Sequence, residues 1–170
     1  MKTVILTMLG QDKPGIVQTI ASVVQRHQGN WLASNFAHMG GHFTGFVEVR
    51  LPAEQLDSLV TELDQMPELN IKLVEAEVPH PSTSHHVELE VTGNDRPGIV
   101  QQITGALQQF DINILRFESL CESAPNWGSD LFRARFELAV ADNIQVEELQ
   151  EAVENLANDL MVDVQWQGKP

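Results

Sequence analysis

Hydrophobic residues follow two different spacings along the chain, and the same order of spacings occurs twice. In the second half, apolar residues alternate with glutamates over residues 87–91, a period of two that is typical of a strand with one buried face. A spacing near 3.6 residues follows over residues 99–110, which predicts a helix with one apolar stripe. Residues 16–24 of the first half show the same helical spacing.

Each half then continues with a second strand, a third strand with renewed alternation, a second amphipathic helix and a closing strand. The predicted order is β-α-β-β-α-β, which is an α+β fold of the ferredoxin-like type with both helices on one face of a four-stranded antiparallel sheet. The residues that mark these later elements are Asn30 and Asn113 for the second strands, 47–51 and 132–140 for the third strands, 56–66 and 149–157 for the helices, and 69–78 and 161–167 for the closing strands.

A sequence repeat indicates that the two halves are copies of one module. The stretch GQDKPGIVQTI at residues 10–20 recurs as GNDRPGIVQQI at residues 93–103, an offset of 83 residues. The same offset relates Asn30 to Asn113. Because a fixed offset joins both pairs, the chain is interpreted as two modules in tandem.

The segment between the copies has the composition of a linker. Residues 79–86 contain two prolines and three Ser or Thr residues, and they contain no Asp, Glu, Lys or Arg. The predicted domains are therefore a first module over residues 1–78, a linker over residues 79–86 and a second module over residues 87–170.

Charge narrows the classes of function. The chain has 170 residues with 10 Lys and Arg against 24 Asp and Glu, a formal net charge of −14, of which the second module carries −10. Contact with nucleic acid or an anionic bilayer needs cationic side chains against phosphates, so this charge argues against both. The single cysteine, Cys121, excludes an intrachain disulfide, and no apolar run is long enough for a membrane span, so the expected location is the cytoplasm.

The repeated Asp-x-Pro-Gly turn has the parts needed to hold a zwitterionic amino acid. It lies where the first strand ends and the first helix begins, so Pro14 and Pro97 are expected in the first turn of their helices. A ligand can approach Gly15 and Gly98 closely because glycine has no Cβ, and the free N–H groups of the helix would attract a carboxylate.

Four further side chains complete this predicted site. Asp12 and Asp95 would receive the ammonium of the ligand, and Asn30 and Asn113, at the start of the next strand, would add a donor and an acceptor. The alternative is that the turn is only helix-capping chemistry, which a gene duplication copies as faithfully as a ligand site.

The remaining histidine, cysteine, tryptophan and glutamate residues do not form a motif as specific as the repeated turn. No carboxylate or cysteine stands at a recognised spacing from the six histidines, so no metal site is predicted, and no cofactor or catalytic residue is predicted either. Cys121 is expected to be a buried small hydrophobe. Trp127, in a long loop at residues 122–128, is the expected partner contact, and the glutamates of residues 147–154 are interpreted as a solvated helix face.

The repeated residues resemble a pair of ACT domains. In each copy an apolar strand leads into Asp-Lys-Pro-Gly-Ile-Val or Asp-Arg-Pro-Gly-Ile-Val, and Gly29-Asn30 or Ile112-Asn113-Ile114 follows. The resemblance covers nearly the whole chain and implies that small ligands bind at the interface between modules, against these turns. The turn residues that it assigns are Asp12, Lys13, Pro14, Gly15 and Ile16 in the first copy, and Asp95, Arg96, Pro97, Gly98 and Ile99 in the second.

A stand-alone acidic pair of this length is similar to the glycine cleavage system transcriptional repressor family. That similarity implies an amino-acid-responsive regulator, with glycine as effector, which represses through contact with a LysR-type DNA-binding activator and not by binding DNA. The alternative is a constitutive interaction module or a regulatory subunit of an amino-acid metabolic enzyme, and both are compatible with a homo-oligomer. An enzyme in its own right has the least support. The first copy has Gly29 where the second copy has Ile112, so the two sites need not be equivalent.

Overall fold

The chain folds into two compact units, residues 1–80 and 81–170. Each unit has the predicted order β-α-β-β-α-β, which confirms the α+β fold. The residues that the computed structural model describes are 1–76, 84–124, 129–141, 143–156 and 160–166.

The first module is a four-stranded antiparallel sheet with two helices. Its elements are β1 (Lys2–Gln11), α1 (Ile16–Arg26), β2 (Asn30–Met39), β3 (His42–Leu51), α2 (Leu56–Asp64) and β4 (Leu69–Glu75). The strand order across the sheet is β2-β3-β1-β4, so β1 pairs with both β3 and β4. The turn that follows β1 therefore starts from the interior of the sheet.

The second module repeats this arrangement. Its elements are β5 (Ser84–Asn94), α3 (Ile99–Gln109), β6 (Asn113–Ala124), β7 (Ser129–Ala141), α4 (Val146–Glu154) and β8 (Met161–Trp166). The strand order is β6-β7-β5-β8. The register shifts after Trp31 in β2 and after Ile114 in β6, so both edge strands carry an irregularity at the same place in the repeat.

Alternate residues of the central strands face the helices and form the core of each module. Val4, Leu6 and Met8 of β1 are buried. Thr7, which lies between Leu6 and Met8, and Leu9, which follows Met8, are exposed. The corresponding core of the second module contains Val87, Leu89, Val91, Phe136 and Leu138. Burying one such side chain stabilises the fold by about 1.5–3 kcal/mol, and this alternation fixes the register of each strand.

One boundary differs from the sequence prediction. β5 begins at Ser84, so residues 84–86 of the predicted linker belong to the strand, where they pair with residues 139–141 of β7. The earlier linker residues, 79–83, lie outside the described residues. In the part of the chain that the structure describes, no helix is long and apolar enough to cross a membrane.

An ion-pair cluster joins the two helices of the first module. Glu62 of α2 accepts hydrogen bonds from Arg26, at the end of α1, and from His27, whose Nε2 lies 2.7 Å from Glu62 Oε2. Both hydrogen bonds lower the pKa of Glu62 below its ordinary value, and the bond from Arg26 has the larger effect. In the second module the position of His27 is taken by Phe110, which packs against the core.

Acid is therefore expected to weaken the first module through Glu62. Because its pKa is lower in the folded than in the unfolded chain, the pairing stabilises the fold above the ordinary glutamate pKa of about 4.3, and this stabilisation is lost as the pH falls through the folded value. We expect the melting temperature of the wild type to fall more steeply between about pH 5 and pH 3 than that of Glu62→Gln. Glu75→Gln, which breaks the exposed Lys2–Glu75 pair, should keep the wild-type slope. Equal slopes for wild type and Glu62→Gln would contradict the assignment.

Candidate functional site

The repeated turn connects β1 to α1 and β5 to α3 through a glycine in the left-handed conformation. Gly15 has φ of 90° and Gly98 has φ of 87°, and each is the cap residue directly before its helix. Pro14 and Pro97 therefore precede the caps, and the prediction that they lie in the first helical turn is wrong. A left-handed cap reverses the chain direction sharply at this point, which leaves the proline outside the helix.

Glycine is required at these two positions by its backbone and not by crowding. A residue with a side chain pays about 1–2 kcal/mol in the left-handed conformation. A Cβ built on Gly15 or Gly98 would meet no atom within 4 Å. The surface above each cap is therefore open.

The motif carboxylates do not cap the helices. The cap residues of α1 and α3 are Gly15 and Gly98, and neither helix has a side-chain hydrogen bond at its cap. In α3 the N–H of Ile99 donates to the carbonyl of Arg96 at 3.3 Å. The first-turn N–H groups of both helices are at the positive end of the helix dipole and favour an anion.

Each motif aspartate lies instead against the hairpin between the second and third strands of its module. The backbone N–H of Asp12 donates to the carbonyl of Gly41 at 3.3 Å, and that of Asp95 donates to the carbonyl of Asp130 at 2.8 Å. The two turns thus share one backbone geometry, and in both modules the hairpin reaches the motif.

The side chain beside the carboxylate differs between the modules. Asp12 Oδ2 lies 3.8 Å from His38 Nε2, whereas Asp95 interacts with the thiol of Cys121. His38 and Cys121 are related by the offset of the repeat and occupy the same position in β2 and β6. Sequence reasoning missed both neighbours, because strand pairing and not chain proximity places them there.

Cys121 is exposed, which corrects the prediction of a buried residue. It lies in the edge strand β6, where residues 115–120 are exposed as well. The pKa of the Cys121 thiol is raised. The largest cause is partial desolvation, and the hydrogen bond to Asp95 and the negative charges of Asp95 and Asp130 contribute less. The thiol therefore stays protonated at neutral pH and is a poor nucleophile.

Asn30 and Asn113 lie far from the turns of their own modules. Asn30 pairs with Arg50, which pairs with Thr3 at the first end of β1, whereas Asp12 follows the other end. In the second module, Asn113 pairs with Ala139, which pairs with His86 near the start of β5. Within one module, therefore, the predicted asparagine and aspartate do not form one site.

A cavity of about 410 Å³ opens beside the turn of the first module. Lys13 in the turn and Glu68, directly before β4, form an ion pair at its edge, with Nζ and Oε1 2.5 Å apart. Ile16, Met66 and Leu69 line it as well, and these three side chains are half-buried against the core. The cavity therefore has one charged edge and an apolar wall.

Glu68 was not predicted as a site residue, although the sequence contains a signal for it. The basic residue of each turn, Lys13 or Arg96, is accompanied in its own copy by an acidic residue shortly before the closing strand: Glu68 directly before β4, and Asp159 two residues before β8. The structure shows that the first of these pairs is an ion pair. Asp159 lies outside the described residues.

The open face of the second sheet is covered with paired charges. Arg135 of β7 contacts Glu88 at 2.9 Å and also Glu90, both on β5, and Arg116 contacts Glu118 at 2.6 Å. Arg135 donates hydrogen bonds to Glu90 and Arg116 donates to Glu118, and these bonds raise the pKa of both arginines. Because their charges are already paired with carboxylates, these arginines do not form a cationic surface.

The remaining sequence candidates can be placed briefly. Among the described residues, no three His, Cys, Asp or Glu side chains are close enough together to hold a metal ion. Residues Glu147, Glu148, Glu151 and Glu154 of α4 are exposed, as expected of a solvated face. Trp127 lies outside the described residues.

The chain is thus a tandem pair of ferredoxin-like modules, each with an open turn before its first helix. Models of the ACT domain match residues 2–74 and 81–160, and together these matches span most of the chain. The chain belongs to the ACT-domain family. ACT domains are regulatory and bind small amino-acid effectors, so the chain has an amino-acid-sensing regulatory role.

Two solved structures share both modules with this chain. A protein of unknown function from Galdieria sulphuraria is 26% identical with a TM-score of 0.83, and the match covers 97% of this chain and 98% of that one. A second structure, described as a candidate glycine cleavage system transcriptional repressor, is 18% identical with a TM-score of 0.67 over 98% of both chains. No curated protein sequence matches the chain.

Proposed function

We propose that the chain is a glycine-responsive repressor of glycine cleavage genes that acts by contacting a DNA-binding activator. The observation that carries this proposal is the duplicated turn, in which an aspartate that does not cap the helix precedes a helix start whose N–H groups have no side-chain cap. The aspartate suits the ammonium of an amino acid and the N–H groups suit its carboxylate. The fold shared with the candidate repressor, over 98% of both chains, supports the regulatory context.

The charge of the molecule favours a protein partner over DNA. The net charge is −14, and the arginines on the open face of the second sheet are paired with carboxylates. A surface of this kind is repelled by phosphates but can steer a basic protein toward it. The proposed partner is a LysR-type activator in the cytoplasm, and the chain itself is proposed to have no catalytic activity.

Replacing Asp95 with Ala tests whether the turn is a ligand site. We expect glycine binding, measured by titration calorimetry, to weaken at least about 10-fold, because a charge-assisted hydrogen bond contributes about 1.5–3 kcal/mol. The melting temperature should change little, because Asp95 does not cap α3. Asp163→Ala, which removes another exposed carboxylate of the second module, is the matched control and should bind as the wild type does.

Two results would count against the proposal. If glycine, serine, alanine and the branched-chain amino acids all produce neither heat nor a thermal shift, the chain does not sense these ligands. If purified LysR-type activator is not retained on the immobilised chain, with or without glycine, the repression mechanism is wrong. Retention that changes with glycine, together with no shift of operator DNA by the chain alone, would support it.

A further inference from the structure

The open face of the first sheet, which is turned away from the helices, carries half-exposed apolar side chains. Leu9, Phe46 and Val74 are 51%, 50% and 54% exposed. Phe46 of β3 pairs with Thr7 of β1, and Ile5 and Leu9 are the next residues on the same face of β1. Val74 of β4 pairs with Ile5. Side chains that are paired across strands, or are one pair apart, contact each other, so these residues form one apolar patch.

The second module carries charges at the positions of this apolar patch. The offset of the repeat relates Thr7 to Glu90. Arg135 pairs with Glu90 as Phe46 pairs with Thr7, so Arg135 occupies the position of Phe46. Its guanidinium donates hydrogen bonds to Glu90. The fold therefore does not need apolar residues on this face, and the apolar patch of the first module has another role. A contiguous apolar patch on a protein surface is typical of an interaction site.

A second copy of the same face matches the apolar patch better than a charged surface does. The Lys, Arg, Asp and Glu residues on this face are Glu48, Arg50 and Lys72, two positive charges and one negative, which sum to +1. A basic protein therefore gains no attraction from it, and a surface of ion pairs would lose water against it without gaining partners. An apolar face has neither disadvantage. We propose that the apolar patch packs against the apolar patch of a second copy of the chain, in a two-fold symmetric dimer.

The area of the face is sufficient for such a dimer. Three of its strands have ten residues and β4 has seven. Four strands about 4.8 Å apart give a face of roughly 19 by 30 Å, which is on the order of 600 Å². Two faces would bury on the order of 1,200 Å², at the lower end of the range for specific protein interfaces. Phe46 lies in the middle of the inner strand β3, where a large aromatic side chain contributes most to binding.

Sedimentation velocity of the wild type and of the double variant Thr7→Glu with Phe46→Arg tests the proposal. We expect the wild type to reach twice the 18.9 kDa mass of one chain at a concentration of about 100 µM. The double variant carries the ion pair of the second module, so it should fold, which urea unfolding would check. Its dimer should be at least about 100-fold weaker, because two-fold symmetry buries each new charge twice. Val74→Lys, a single change at an exposed position, should weaken the dimer at least about 10-fold.

Leu120→Glu is the matched control for these variants. Leu120 is 49% exposed on the open face of the second sheet, where it pairs with Arg133, so this variant should dimerise as the wild type does. A wild type that sediments as a monomer up to that concentration would overturn the proposal, as would an equal loss of dimer in Leu120→Glu and Val74→Lys. If the wild type is a monomer and the double variant no longer retains the LysR-type activator, the apolar patch contacts the activator and the dimer is wrong. The dimer does not depend on glycine, so a failure of glycine sensing leaves this inference unaffected.

Discussion

Replacing Phe136 with Ala is expected to lower the free energy of unfolding by about 3–5 kcal/mol. Phe136 is fully buried at the centre of β7, and its ring stacks on Phe117 of β6 with centroids 4.5 Å apart and an angle of 18° between the planes. The truncation removes the apolar contacts of one of the largest fully buried side chains and leaves a cavity. Urea unfolding followed by circular dichroism would measure the loss.

The location of the damage can be checked as well as its size. Because the chain forms two compact units, we expect increased amide hydrogen exchange in residues of the second module and little change in the first. Leu120→Ala, in the neighbouring strand but 49% exposed, is the control and should cost no more than about 0.5 kcal/mol. If Phe136→Ala costs no more than Leu120→Ala, the assignment of the core is wrong.

The fold was predictable because local patterns and the global arrangement agree in both copies. The alternation over residues 87–91 becomes the central strand β5, whose buried positions are those of the sequence pattern. The start of β5 was less predictable. Residues 84–86 lack an apolar pattern of their own, and pairing with β7 adds them to the strand. A contact between residues distant in sequence thus decided the boundary, as is common at strand ends.

The site was only partly predictable, for a geometric reason. Asn30 follows α1 in sequence, but a helix of 11 residues spans about 16 Å and returns the chain to the far end of the sheet. The residue after a helix is therefore distant from the turn before it. Conversely, His38, Cys121 and Glu68 are distant in sequence from the motif, and pairing of strands and packing of loops bring them to it.

Gly10, at the end of β1, lies close to the segment before β4, and replacing it with Ala should destabilise the first module. A Cβ on Gly10 would collide with the carbonyl oxygen of Glu68 and lie 2.6 Å from the Leu69 side chain. Because one of these atoms belongs to the backbone, the segment before β4 must shift. We expect a loss of about 1–3 kcal/mol in the free energy of unfolding, as for other overpacked sites.

Urea unfolding of Gly10→Ala would measure this loss. Gly105→Ala is the control, because Gly105 lies inside α3 and a Cβ there meets no atom within 4 Å. That change should stabilise the chain by about 0.5–1 kcal/mol through better helix propensity. The same chemical change is thus expected to have opposite signs at the two positions. A Gly10→Ala variant as stable as the wild type would show that the segment before β4 does not pack tightly against β1.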